Sequence, residues 1–415
     1  MRTPDSFLMP TSGGRSLPGS LETGVERSIE AFDADSWARI ARGGSFYGSH
    51  PYLRFSERCH QDETWYVSCR SEGRLVAALP AYDLPDGDGD AYDYRDQFGK
   101  LPCFGRLDPS CWYPGMLAGT RSGYVTDLLV DPLLGQAQRR DAVRRLVQDF
   151  RNLAAARARS AAALYLTPDA AVLLTEAMAG DGGSVQLLLS PFGTDTYLPL
   201  TFTSFEDYLR HLSAKRRYAV RREITAFRST SRRIDVVRLA EYSEVLGPLL
   251  ANVQRKYEHG STDMQMTALL CQYAQALDDH SRVFLCRGAR GEPLAYALFF
   301  VWDGVMYARN VGFHYDRMHG DDGTYFNLLL YEPIAYAIEH GYMAMHFGMA
   351  SQAKAARGAL VRPFWSLVFP PEGMSIPSAA QVAGWNKHWH KRWHEEYRPF
   401  ARQFPEKEWQ LAVSS

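Results

Sequence analysis

Between Gly320 and Gly348 the chain reads GDDGTYFNLLLYEPIAYAIEHGYMAMHFG: a polar loop, an apolar-striped segment, a glycine and a short apolar run. Phe326, Leu329, Leu330, Ile334, Ala337 and Ile338 recur at three and four residues, so a helix here presents one apolar face to a core. Gly341 stands where a left-handed residue stops a helix, and MAMHF, Met343 to Phe347, reads as a buried strand. A helix joining two strands over this length makes a parallel crossover. Open α/β sheets leave a ligand crevice at the strand ends of such a unit, and that crevice is the candidate active site. Pro333 inside the helix predicts a kink rather than an end.

The rest of the chain repeats this grammar. Thr64–Arg70 and Leu75–Leu84 read as a hairpin across Glu72-Gly73. Tyr124–Val130 reads as a strand, Gln136–Arg157 as a long helix, Ala162–Pro168 as a strand, Asp169–Ala179 as a helix and Val185–Ser190 as a strand. Residues 91–125 are rich in Tyr, Pro and Gly, have no clear period and read as a long functional loop or an irregular insertion. In the second half a long helix spans about Ser204–Thr230. A strand at Ile234–Leu239, helices near Glu241–Glu258 and Asp263–Asp279, and a hairpin of Arg282–Arg287 with Pro293–Trp302 follow. Gly304–Phe313 is the strand before the central helix, and Phe364–Pro370 is the last strand. The expected organisation is a flexible tail over 1–22, one α/β domain over 23–200 and a second over 201–415. A length of 415 residues suits two domains.

A net charge of −1 argues against a generally nucleic-acid-binding surface and leaves room for a local patch. The six cysteines show no CxxC pairing and read as reduced, mostly buried thiols. No run approaches the ~18 apolar residues of a membrane span, and the N-terminal residues lack the apolar core of a signal peptide. A cytoplasmic protein is expected. The acidic loop Pro85–Asp90 lacks the Gly and Glu of a calcium hand, since Ala91 and Gln97 stand at those positions. Trp385, Trp389 and Trp393 recur every four residues and read as a packing stripe. His390 and His394 beside them lack the third ligand and the HExxH frame of a zinc site, so no metal is expected.

Hairpin strands, a strand ending at a polar loop, a helix and a parallel strand resemble the core of the GNAT acyltransferases. Two such units with a basic helix opening the second are similar to the FemABX-like branch, the aminoacyl-tRNA-dependent transferases and their FemAB-like relatives. The residues that carry this are LSAKRRYAVRREITAF (Leu212–Phe227), YFNLLLYEPIAYAIEHG, and HFGMASQAKAARGALVRP (His346–Pro363). The likeness covers about Ser204–Pro371, and the first half shares only its order of elements. It implies two tandem GNAT-like domains with mixed sheets flanked by helices.

The resemblance also places the site. It maps the two strands that part in GNAT folds onto Gly304–Phe313 and Met343–Phe347, whose ends offer Asn310, Gly312, His314 and Tyr315 on one side and His346 and Gly348 on the other. Aminolysis of an ester needs a neutral amine, an acceptor for its proton and a donor to the developing oxyanion. His314 and His346 have suitable intrinsic pKa values, and Asp316, Asp321 or Asp322 could raise them or serve as base. The alternative is a packed strand histidine at 346 and a surface loop histidine at 314. Lys354 matches the lysine that follows the last GNAT strand in FemABX-like enzymes, with Ala353 before it where that family usually has an aromatic residue. Arg357 is its neighbour, and Tyr325 opens the helix as a further substrate contact.

The donor is aminoacyl-tRNA or acyl-CoA. In RMHGDDG, Arg317, Gly320 and Gly323 loosely echo the loop that cradles the pyrophosphate of CoA. Asp321 and Asp322 would set two carboxylates beside that dianion, each like-charge pair costing about 4 kcal/mol at ~4 Å and an effective dielectric of ~20. Eight basic residues against one acid, Glu223, lie between Ser213 and Arg233. Lys215, Arg216, Arg217, Arg221, Arg222 and Arg228 would dock tRNA phosphates, unless they form a solvated helix face. The expectation is an amide-forming acyltransferase that uses aminoacyl-tRNA and no metal or cofactor. Its acceptor would be a small-molecule amine in natural-product (antibiotic) biosynthesis, seated in the crevice between the domains with walls from residues 91–125. An acyl-CoA N-acetyltransferase, a FemABX-type peptidoglycan-precursor transferase and a non-catalytic GNAT-like binding protein are the alternatives.

Overall fold

The computed structural model describes residues 20–60, 62–86, 91–101, 103–104, 109–179, 186–318 and 322–413. It forms two compact units. The first takes in the described residues of Met1–His50, Asp62–Leu188 and Trp365–Val382; the second takes in Pro51–Gln61, Leu189–Phe364 and the described part of Ala383–Ser415.

In the first unit the strands run in the spatial order Leu21–Glu26, Thr64–Ser71, Arg74–Leu84, Gly115–Ala118, Ser160–Leu166, Trp365–Phe369, Leu187–Leu189, with Leu129–Val130 pairing Arg74–Leu84 off this path. Gly115–Ala118 and Ser160–Leu166 are parallel neighbours, and the other described pairs are antiparallel. The helix Gln136–Arg157 supplies the crossover and buries Ala142, Val143, Leu146, Val147, Phe150 and Ala154 at helical spacing.

The second unit has the order Leu360–Arg362, Asp195–Pro199, Ala344–Met349, Val305–Phe313, Pro293–Trp302, Ser281–Arg287, Arg233–Val237. Here too one parallel pair, Val305–Phe313 with Ala344–Met349, sits among antiparallel ones. Both sheets are therefore mixed, and both use the same grammar.

The linear cut expected at 200/201 does not follow the sheets. Asp195–Pro199 lies in the second sheet, and the last strand, Trp365–Phe369, lies in the first. A strand begins at Leu21, within the stretch expected to be a tail, while residues 1–19 fall outside the described residues, as do 87–90 of the acidic loop. The region 91–125 is also more regular than its composition indicates. It holds short helices at Tyr94–Phe98 and Pro109–Trp112 and the strand Gly115–Ala118, which is inside the sheet.

The central helix follows the sequence reading in extent and departs from it in form. Thr324–Phe326 and Glu332–Glu339 are α-helical, and Asn327–Tyr331 between them is a π turn. Pro333 has no N–H, and its ring would press on the carbonyl four residues back in a regular helix. Widening the turn just before it removes that clash without ending the helix. Leu328, Leu329, Leu330, Ile334 and Ala337 pack with Met306, Met345, Phe347, Phe299 and Phe284 in one core. Gly341, at φ 71°, stops the helix as expected.

The expected long helix 204–230 is two helices, Phe205–His211 and Ala214–Arg228. Ser213 sits between them and caps the second through the Arg216 amide. On the C-terminal helix Ala379–Glu396, the Trp385 and Trp393 indoles donate to the carbonyls of Leu189 and Ser190 at 2.9 and 3.2 Å, as a packing stripe does.

Candidate active site

The strands Val305–Phe313 and Ala344–Met349 pair in parallel over only three positions, Val305 to Tyr307 against Ala344 to His346. Both carry a bulge where the pairing stops. On Val305–Phe313 the register to its antiparallel neighbour jumps from Ala308 to Asn310, leaving Arg309 as the extra residue. On Ala344–Met349 it jumps from His346 to Gly348, leaving Phe347 as the extra residue, and Gly348 takes φ 72°. A bulge bends its strand, so the two strands part here. Ala308 to Val311 are accordingly only partly buried.

The second bulge has a chemical consequence. With Phe347 out of register, its carbonyl loses a ladder partner, and a buried carbonyl needs a donor. Lys354 Nζ donates to Phe347 O and to Met349 O, both at 2.7 Å. An ammonium has three N–H groups, so one is left over. Burial lowers the Lys354 pKa to about 8, and the carboxylate of Asp195 pulls it part of the way back. The lysine is therefore largely protonated at neutral pH, with a loosely held proton.

His346 alternates with Met345 and Phe347 along the strand, so it lies on the sheet face away from the central helix. Its register partners are Tyr197 and Tyr307, with the Tyr307 ring centroid 5.4 Å away. His346 and Asp195 are both buried, and His346 Nε2 stands 2.6 Å from Asp195 Oδ1. The contact is too oblique to be a good hydrogen bond, and His346 Nδ1 has no hydrogen-bond partner among the described residues. Asp195 thus joins His346 and Lys354 into one buried group at the parting strands. It escaped the sequence reading because its strand fell on the expected domain boundary. Its only signal was the alternation in TDTYLP, Thr194 to Pro199, which marks a short strand.

The other expected residues divide into three sets. Asn310 and Tyr315 lie at the open strand end, Asn310 accepting from Tyr296 Oη at 3.3 Å. His314 follows, its Nδ1 without a partner among the described residues. Tyr325 is exposed beside them, its ring stacked on Phe313 at 5.8 Å.

Asp322 and Arg357 are committed within the protein. Asp322 accepts from the Thr324 amide at 2.9 Å and pairs with Arg232. Burial pushes its carboxyl up, and the hydrogen bonds from Thr324 and Arg232 outweigh this and hold it below the usual value, which suits a helix cap better than a general base. The Arg357 guanidinium donates to Tyr331 Oη at 2.6 Å, Ala353 O at 2.9 Å and Glu223 Oε2 at 2.7 Å, and it lies 3.5 Å over the Phe326 ring. It locks the basic helix to the central helix, and a substrate contact would have to compete with those partners. Asp321 and Gly320 lie outside the described residues.

The basic helix Ala214–Arg228 meets the start of the central helix. Asn327 donates to Glu223 O at 3.1 Å, and a side chain on Gly323 would collide with that same carbonyl. Lys215, Arg222 and Arg228 are exposed. Arg221 pairs with Glu206, Arg216 stacks 4.9 Å over Phe400, and Arg217 bonds weakly to Arg210 O at 3.4 Å. The six expected phosphate ligands thus reduce to three outward cations and three that also brace the helix.

The first unit handles the same juncture differently. Beyond Ala118 the neighbour of Ser160–Leu166 is Thr126, which donates to Tyr165 O at 2.8 Å and forms an isolated parallel bridge to Leu166. Tyr92 stacks on Tyr124 at 5.5 Å, and both meet Tyr165 edge-on. The first unit fills its strand gap with tyrosines, whereas in the second Ala308 to Val311 at the gap are only partly buried. Among the described residues no group of three or more His, Cys, Asp or Glu could hold a metal ion, and no helix is long and apolar enough to cross a membrane.

A sequence model of the FemAB-like family, described as peptidoglycan biosynthesis/recognition, matches residues 28–406. No curated protein matches the sequence. Among solved structures, FemX is 11% identical, with a TM-score of 0.54 over 83% of this chain and 96% of FemX. A tandem GNAT protein from the clavulanic acid biosynthesis pathway is 16% identical, at 0.46 over 86% and 100%. L-PGS from Bacillus licheniformis is 12% identical, at 0.48 over 82% and 92%.

Proposed function

The chain belongs to the FemAB-like family of GNAT-fold acyltransferases, and from that premise we propose that it forms amide bonds by moving an aminoacyl group from aminoacyl-tRNA to the amine of a small-molecule acceptor. The observation that carries this reading is the group Lys354, Asp195 and His346 at the parting strands. An aminoacyl ester is already activated, so the protein has to hold the carbonyl beside a neutral amine and stabilise the charge that develops on oxygen. The third N–H of Lys354 is a partly buried, charged donor for that oxygen. His346, with one ring nitrogen unpartnered and the other against Asp195, is the group that takes the amine proton. His314 stands at the other strand end as the second candidate base.

Surface charge supports the choice of tRNA as donor. Lys215, Arg222 and Arg228 face solvent on a helix that is anchored to the start of the central helix through Glu223. Exposed cations beside the helix that opens the site support docking of an anionic backbone there. The family's description as peptidoglycan biosynthesis/recognition favours a second acceptor, a peptidoglycan precursor.

One experiment separates these readings. Purified protein is offered small amines or a peptidoglycan precursor, with charged tRNA or acetyl-CoA, with and without ribonuclease. Ribonuclease-sensitive product from charged tRNA is expected. Product that requires acetyl-CoA and survives ribonuclease would overturn the tRNA donor, and the acceptor consumed selects between the two acceptor classes.

A further inference from the structure

Four aromatic residues converge just beyond the open strand end. Phe313, the last residue of the strand, is buried, and its ring centroid lies 5.8 Å from those of both Tyr315 and Tyr325, with interplanar angles of 31° and 29°. Lys256 Nζ lies 4.4 Å over the Tyr315 ring. Tyr257, the next residue, sits close enough that its phenol adds to the upward push that burial gives Tyr315 and Tyr325.

Two of these rings are open to solvent, Tyr257 at 63% and Tyr325 at 45% of their full exposure. The exposed Tyr325 ring is braced by the buried Phe313 ring, and a large ring that is both bare and held in place is what a stacking ligand exploits. Lys256 makes no ion pair among the described residues, whereas its neighbour Arg255 is bound to Asp263 at 2.7 Å. The patch therefore offers flat faces and an unneutralised cation, the complement of a nucleotide.

We propose that Tyr257, Tyr315 and Tyr325, with Lys256, form a stacking platform for the base of an adenine nucleotide. The proposal deepens the acyl-transfer reading and rests on it for the source of the nucleotide. Aminoacyl-tRNA ends in an adenosine whose own ribose carries the acyl ester, and acyl-CoA carries its adenosine phosphate at the other end of a pantetheine arm from the thioester, so both donors present the base but only the first presents it next to the acyl group. Phe313 terminates the strand that parts from Ala344–Met349, so a base on these rings would set its attached acyl ester toward the gap.

The test is calorimetric titration of the full chain with adenosine 5′-monophosphate, with the trinucleotide CCA and with CoA. Tyr257→Ala and Tyr325→Ala each weaken AMP binding by roughly tenfold, and the Phe variants of both stay within about twofold of wild type, because stacking needs the ring and not the hydroxyl. Tighter binding of CCA than of CoA assigns the base to RNA, and the reverse assigns it to the thioester donor. AMP binding unchanged in both Ala variants overturns the platform, as does tight AMP binding lost in neither Ala variant but lost with Lys256→Met alone. Self-association that disappears in the Ala variants while AMP binding persists would assign the rings to a second copy and also overturn it. If no donor supports transfer yet AMP affinity falls in the Ala variants, the platform stands and the transfer reading fails.

Discussion

Replacing Lys354 by Met separates the energetics of this lysine from everything else that titrates. Burial holds its folded-state pKa at about 8, below the ordinary value of 10.5. Below about pH 8 the lysine is charged in both folded and unfolded chains, and the fold carries the whole cost of burying it. Between 8 and 10.5 the unfolded chain binds more protons than the folded one, so stability contributed by this site rises with pH. At about 1.4 kcal/mol per pH unit that interval corresponds to about 3 kcal/mol. The variant has no such group, and its other titrations match those of the wild type. The stability difference, wild type minus Lys354→Met, should therefore climb by about 3 kcal/mol from pH 7 to pH 10.5. Urea unfolding followed by tryptophan fluorescence at half-unit pH steps measures it. A difference that stays flat within about 1 kcal/mol, or that falls with pH, would refute the buried ammonium. Activity should move the opposite way. If the charged form supports the oxyanion, kcat/KM declines above about pH 8 in the wild type.

Three further outcomes follow from named contacts. Arg357→Met leaves Glu223 and Tyr331 facing each other without their cation, and it should cost roughly 3–5 kcal/mol in urea unfolding; adding Glu223→Gln should recover part of that loss, and full additivity would show the pair is not coupled. Gly323→Ala puts a methyl group on the Glu223 carbonyl at a φ of 73°, so it should destabilise by roughly 1–3 kcal/mol, and an unchanged Tm would show that the two helices are not held there. Replacing Lys215, Arg222 and Arg228 together by Gln should lower the slope of log affinity for tRNA against log salt by roughly 0.7–0.9 per lost contact; an unchanged slope would move the RNA path off this helix.

The elements set by local pattern were readable. The helix Gln136–Arg157, the hairpin strands of both halves and the crossover from Val305 to Met349 appear within a few residues of where periodicity places them. What failed was what depends on distant chain. Trp365–Phe369 has the strand pattern expected of it, yet nothing local says that its partner is Ser160–Leu166 in the first sheet. Gly115–Ala118 is only four residues long in a Tyr- and Pro-rich stretch, and neighbouring strands rather than its own alternation make it a strand. In the group proposed as the site, Lys354 and His346 stand where the sequence pattern places them, after and within the last parallel strand. Asp195 was not legible, because it reaches them through sheet pairing across some 150 residues of chain. Asp322 and Arg357 carry the right chemistry in the wrong company, since whether a charge is free depends on partners such as Arg232 and Glu223 that no motif brings together.

Lys354 carries a structural task, and the chemical one proposed for it shares its cause. The bulge at Phe347 is what parts the strands, and the same bulge strips a carbonyl of its ladder partner. A neutral amine has two N–H groups, enough for Phe347 O and Met349 O, and only the ammonium presents a third. A lysine that only repaired the backbone would gain nothing from being charged, and burying the charge costs several kcal/mol unless it is compensated. Asp195 compensates it only in part, since the pKa remains below its ordinary value. A residue held in a costly protonation state at the mouth of an open strand gap is better explained by what the charge does to a bound acyl group than by the carbonyls alone. Lys354→Arg distinguishes the two. It retains charge and donors, so a structural role predicts near-normal transfer wherever the variant folds, whereas a donor aimed at one oxyanion position predicts a large loss in kcat with stability preserved.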